Sequence, residues 1–130
     1  MLLGIDHLVI AVRDPDAAAA ALERDLGIAF NGGGRHAAWG TFNRLAFFGD
    51  TYLELIAVFD RRLAGSPTGS AVARASLAVL DAGGEGLASF ALASDDIGGD
   101  VARLRASGSS IGPPIEGSRA RPDGEVVRWR

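Results

Sequence analysis

The chain has 130 residues, 48% of them hydrophobic and 22% charged, a balance that suits one globular domain with its own core. Its net charge of -3 is dispersed, without the basic stripe that a nucleic-acid partner would require, and the absence of cysteine excludes disulfides and thiolate metal sites. All thirteen basic residues are arginine, which reads as codon bias and carries no functional meaning.

The opening run GIDHLVIAV, Gly4 to Val12, is apolar on both faces and predicts a central strand. Neither a cationic leader nor a small-residue cleavage site accompanies it, and the apolar stretch is too short to span a bilayer, so a cytoplasmic protein with no membrane partner is expected. Next comes RDPDAAAAALERDLGI, with Asp14 as N-cap, Pro15 at the first helical position and Gly27 closing the helix. The segment AFNGGGRHAAWG then mixes a short strand with a triple glycine that reads as mobile. His36, beside those glycines and before Trp39, reads as a loop residue, or as a substrate contact if the glycines close over a cleft as a lid.

The stretch GTFNRLAFFGDTYLELIAV, Gly40 to Val58, predicts a β-hairpin turning at Gly49 and Asp50. A two-residue turn places Phe48 opposite Thr51 and Leu45 opposite Glu54. Alternation then puts Asn43, Leu45, Phe47, Tyr52, Glu54 and Ile56 on one face, with Arg44 on the other. Glu54 is a carboxylate inside an apolar strand, which costs several kcal/mol unless it is paired, protonated or metal-bound. Asn43 is its expected polar neighbour, either as an ordinary strand residue or as the group that orients it. A buried water, a backbone amide or an arginine such as Arg128 would also satisfy it.

A connector follows, turning helical near Ser70 to Leu80. GLASFALASDDIGGDVARLRASG then repeats the first half at a constant offset of 82: Gly4 meets Gly86, Leu8 meets Phe90, Asp14 meets Asp96 and Leu22 meets Leu104. Gly108 ends this second helix, and IEGSRARPDGEVVRWR supplies two further strands about an Arg-Pro-Asp-Gly turn. The arginines 119, 121, 128 and 130 alternate there, forming a solvated face or providing one clamp for an anionic substrate. The first unit has three strands after its helix and the second has material for two, which leaves an open sheet edge.

His7 stands alone among Ile5, Val9 and Ala11, either as a core histidine bonded to backbone or as a cleft residue. If His7 and Glu54 share a cleft, their nitrogen and oxygen suit zinc, nickel, iron or manganese, with water in the open positions.

These segments resemble the vicinal oxygen chelate superfamily, in its branch of glyoxalase-like and bleomycin-resistance-like domains. GIDHLVIAV, GTFNRLAFFGDTYLELIAV and EGSRARPDGEVVRWR carry the resemblance, which covers nearly the whole chain. It implies an α+β fold of paired βαβββ modules curled around a cleft, the second lacking its last strand. As a single domain of residues 1–130 it would divide into a first module near 1–60, a helical connector near 61–85 and an incomplete second module near 86–130. Metal-dependent members place a histidine on the first strand and a glutamate on the fourth, which implies His7 and Glu54 here. The offset puts neutral Ser89 where such members carry a third ligand, so the resemblance supplies half a metal site.

Two functional readings follow. One is a divalent-metal-dependent lyase, isomerase or dioxygenase on vicinal-oxygen substrates, with Glu54 as metal ligand or proton carrier and His36, Trp39, Asn43, Phe47, Tyr52 and Ser89 around the small molecule. The other is a metal-free, antibiotic-sequestering protein in which Phe47, Tyr52, Trp39 and Trp129 line the cleft, or an inactive piece of a longer protein. The resemblance and the open edge together imply a homodimer.

Overall fold

The computed structural model describes residues 1–121 and 123–129; Pro122, within the expected turn, and Arg130, the last of the alternating arginines, lie outside the described residues. The elements are β1 (Leu2–Ala11), α1 (Pro15–Leu26), β2 (Gly32–His36), a 3-10 turn (Ala37–Trp39), β3 (Thr41–Phe48), β4 (Thr51–Val58), α2 (Arg61–Ala64), α3 (Ala71–Asp81), β5 (Gly86–Ser94), α4 (Ile97–Ala106), β6 (Gly117–Ala120) and β7 (Val126–Trp129). The seven strands form one curled, unclosed sheet in the order β5-β1-β4-β3-β2-β6-β7. The α+β architecture is the one the sequence implies.

Local chemistry sets the element ends. Asp14 accepts hydrogen bonds from the amides of Asp16 and Ala17, Pro15 opens α1, and Gly27 closes it with φ 69°, a left-handed conformation that glycine adopts without strain. Ser70 caps α3 through the Ala73 amide, and Asp96 caps α4 through the Gly99 amide. The repeat has a geometric counterpart: β1 and β5 are antiparallel, and Leu8 lies directly opposite Phe90, the residue 82 positions later. His7 therefore pairs with Ala91, while Ser89 pairs with Val9, one step across the same ladder.

The core divides across the sheet. On the outer face Leu55 and Val12 pack with Ala19, Leu22 and Phe30 beneath α1. On the inner face Val9, Ala11 and Ile56 pack with Val72, Val79 and Leu80 of α3. Burying each of the larger side chains stabilises the fold by about 2 kcal/mol. Helix α3 covers only this end of the inner face, and His7 and Glu54 lie on the same face two residues before Val9 and Ile56. His7 and Glu54 thus lie on the part of the inner face beyond the end that α3 packs against.

The triple glycine is not a mobile lid. Gly32, Gly33 and Gly34 are strand residues of β2, held between β3 and β6. A Cβ on Gly33 would overlap the Asn43 carbonyl oxygen, and one on Gly34 would overlap that of Ala120. The glycines serve close strand approach, which local sequence does not reveal. His36 is accordingly the last residue of a strand and not a loop residue.

Candidate functional site

The hairpin register is the expected one: Phe48 pairs with Thr51 and Leu45 with Glu54. Glu54 is 6% exposed and Asn43 4%. Asn43 Nδ2 donates to Glu54 Oε1 at 2.6 Å. Arg44 projects from the other face and bonds Asp16 at 2.5 Å. The arginine whose charge reaches Glu54 is Arg119, where the sequence suggested Arg128. Burial raises the Glu54 pKa above the ordinary carboxylate range, against the opposing pull of the Asn43 bond, His7 and Arg119.

The other side of Glu54 faces His7, whose Nε2 stands 3.5 Å from Oε2. His7 Nδ1 is 2.6 Å from Asp6 Oδ1. A carboxylate there accepts the Nδ1 hydrogen, leaving the Nε2 lone pair toward Glu54. Tyr52 stacks on the imidazole at 4.3 Å and 13°, and Phe47, 54% exposed, leans on Tyr52 at 5.5 Å. The Tyr52 phenol is raised in pKa, chiefly by burial and then by the Glu54 and Asp6 charges, so it keeps its proton.

A second cluster lies at the far end of β2 and β3. His36, 4% exposed, bonds Thr41 Oγ1 through Nδ1 at 3.0 Å. Its pKa is pushed down to about 4 by burial and by the Arg119 charge, so it is neutral in ordinary buffers. Trp39 and Trp129 meet edge to face at 5.9 Å, both against the His36 ring, with Gly117 between them where any Cβ would overlap an indole. A cavity of about 430 Å³ opens beside them, lined by Trp39, Glu116, Gly117, Arg128 and Trp129.

The structure thus brings together His7, Asn43, Phe47, Tyr52 and Glu54, and places His36 and Trp39 in a separate aromatic group. For a metal, His7 Nε2 and Glu54 Oε2 are close to the roughly 3.0–3.4 Å separation of two ligands on one ion with bonds near 2.1 Å. Among the described residues no group of three His, Cys, Asp or Glu side chains could hold an ion. The donors fit two ligand positions. Among the described residues no helix is long and apolar enough to cross a membrane.

A curled, unclosed seven-stranded sheet with four helices is the architecture of the vicinal oxygen chelate class. The chain belongs to the glyoxalase-like domain family, whose model matches residues 5–130. No curated protein matches the sequence at a significant level. Among solved structures it is similar to a hypothetical protein from Staphylococcus aureus, with TM-score 0.79 and 24% identity over 96% of this chain. This chain spans 50% of that protein's length. It is also similar to methylmalonyl-CoA epimerase from Streptomyces coelicolor in complex with 2-nitronate-propionyl-CoA, with TM-score 0.72, 19% identity and coverage of 98% of this chain and 96% of that one. The methylmalonyl-CoA epimerase from Mycobacterium tuberculosis gives TM-score 0.71 and 21% identity, covering 98% of this chain and 86% of that one.

Proposed function

We propose that this protein is a small-molecule enzyme that moves a proton at a carbon flanked by vicinal oxygens, with Glu54 as the group that takes and returns it. The observation that carries the reading is the buried Glu54 carboxyl, held by Asn43 on one oxygen and facing His7 with the other. Burial favours the protonated form and so raises its pKa above the ordinary carboxylate value, the direction that suits a carboxyl for taking and returning a proton. Asn43 fixes which oxygen is free. Asp6 holds His7 in the tautomer whose Nε2 accepts. An epimerase must remove and replace a proton at carbon, so the two epimerases among the structural neighbours support this chemistry.

In its ionised form Glu54, together with His7, would hold a divalent ion, zinc, nickel, iron or manganese, as two of its ligands, a role alternative to carrying the proton on the same oxygen. When bound, such an ion supplies a Lewis acid for the substrate's vicinal oxygens. Tyr52 and Phe47 would cover the apolar part of the molecule, and Ser89, across the ladder beside His7, would offer a hydroxyl. The proposal includes a homodimer formed along the β5 edge, where Leu87, Phe90 and Leu92 are exposed.

The cavity against Trp39 and Trp129 favours a second reading, a metal-free protein that binds an aromatic compound there. One experiment separates the two. Metal content is measured on chelator-free protein and on Glu54→Gln, and both are then assayed for solvent-deuterium incorporation into 2-oxo and 2-hydroxy compounds. The first reading predicts metal and exchange in the wild type, and loss of both in the variant, with exchange falling at least roughly a hundredfold. No exchange, together with quenching of tryptophan fluorescence by aromatic compounds, supports the second.

A further inference from the structure

Arg13, Arg24, Arg44, Arg61 and Arg121 each meet a carboxylate on the protein surface, and Arg103, itself exposed, meets the buried Asp100. Arg119 is placed differently. It lies on β6 beside Ala120, the residue that joins β6 to β2 opposite Arg35. Its side chain crosses over Gly34, where an added Cβ would stand 2.8 Å from Arg119 Cγ. Gly34 in turn pairs with Asn43, the partner of Glu54. Arg119 therefore enters the inner side of the curl, and its charge acts on His36, Tyr52 and Glu54.

Two polar atoms flank this crossing without a partner among the described residues: the Arg119 Nε donor and the Asn43 Oδ1 acceptor, both buried. Each would cost roughly 1–3 kcal/mol if left so. A bridging water between them, both lying on the Gly34 side of the sheet, would satisfy donor and acceptor together. That bridge would set the plane of the guanidinium and leave both Nη groups as donors for a ligand. A half-buried cation that makes no ion pair among the described residues calls for an anion. Glu54 does not serve, because its two oxygens face Asn43 and His7 and no salt bridge joins it to Arg119.

We propose that Arg119 binds the anionic group of the molecule that this cleft takes, so that the substrate is a carboxylate-bearing small molecule and not a neutral one. The inference rests on the reading of the cleft around Glu54 for where the rest of that molecule lies. Planar, paired N–H donors match a carboxylate, and lysine would supply only a point charge.

The test uses two probes of nearly the same shape, oxalate and its neutral diamide oxamide. Calorimetric titrations are made on metal-stripped wild type, Arg119→Gln, Arg119→Lys and Glu54→Gln. Oxalate is expected to bind the wild type at least roughly tenfold more tightly than oxamide, to weaken by a similar factor in Arg119→Gln and to fall between in Arg119→Lys. Glu54→Gln is expected to bind oxalate at least as well as the wild type while losing proton exchange. Equal affinity for the two probes, wild-type oxalate affinity in Arg119→Gln, or no oxalate binding at all would overturn the proposal. If Arg119→Gln fails to fold by circular dichroism, the oxalate-to-oxamide ratio in the wild type and its change in Arg119→Lys decide. Proton exchange that survives in Glu54→Gln would sink the Glu54 reading and leave the Arg119 result standing.

Discussion

Asn43 and Glu54 are hydrogen-bonded at 2.6 Å although they are not register partners: Asn43 lies opposite Ile56, and Glu54 lies opposite Leu45. The bond runs diagonally across the β3–β4 ladder, a reach that side chains on one face of a sheet can make. Asn43→Ala removes the donor and leaves the carboxyl more desolvated. Urea unfolding should show a loss of about 1–3 kcal/mol, and the Glu54 pKa should rise further because the Asn43 bond lowers it. Unchanged stability together with an unchanged Glu54 midpoint would contradict this account of the pair.

Glu54 should also weaken the fold at higher pH. Its folded pKa lies above the ordinary 4.5, so between those two values the folded state holds a proton that the unfolded state has released. Stability then falls as pH rises through that window. Glu54→Gln, which is neutral and nearly isosteric, should flatten this slope and match or exceed the wild type above the window. Parallel stability–pH curves for the two proteins would be the contrary result.

His36 works in the opposite direction. Its folded pKa is about 4 against an ordinary 6.5, so between those values the unfolded chain binds a proton that the folded one refuses. Stability should fall as pH drops from 6.5 to 4, by at most on the order of 3 kcal/mol. In His36→Phe the part of the slope due to this group should vanish, whatever the variant's absolute stability. Chemical denaturation at pH 7, 6, 5 and 4 measures it.

Gly34→Ala tests whether β2 depends on its glycines. The new methyl would overlap the Ala120 carbonyl and press on Arg119 Cγ, so β6 must move away from β2. A loss of about 1–3 kcal/mol is expected, with Trp129 fluorescence shifting toward that of a solvated indole as β6 and β7 loosen. A wild-type melting temperature and emission maximum would show that β6 does not pack there.

The sequence shows most of what local chemistry controls. The Gly49-Asp50 turn sets the hairpin register, and with it the side of the sheet on which Asn43, Tyr52 and Glu54 lie. Asp14, Ser70 and Asp96 announce their helices through their capping side chains. What stayed hidden depends on distant strands. A run of three glycines reads as mobile until β6 is seen lying over it, and His36 reads as a loop residue for the same reason. Arg119 was one of four alternating arginines, and only the curl that carries β6 onto β2 sets it apart. The repeat offset did locate Ser89, but its step from His7 across the β1–β5 ladder required the register itself.

The most direct measurement is a carbon-13 NMR titration of the Glu54 side-chain carboxyl, assigned by its loss in Glu54→Gln. A midpoint well above the usual carboxylate range, falling when a divalent ion is added, is the predicted result. A midpoint at or below 4.5 would mean an ordinary ionised carboxylate, and Glu54 would not be the proton-moving group of this cleft.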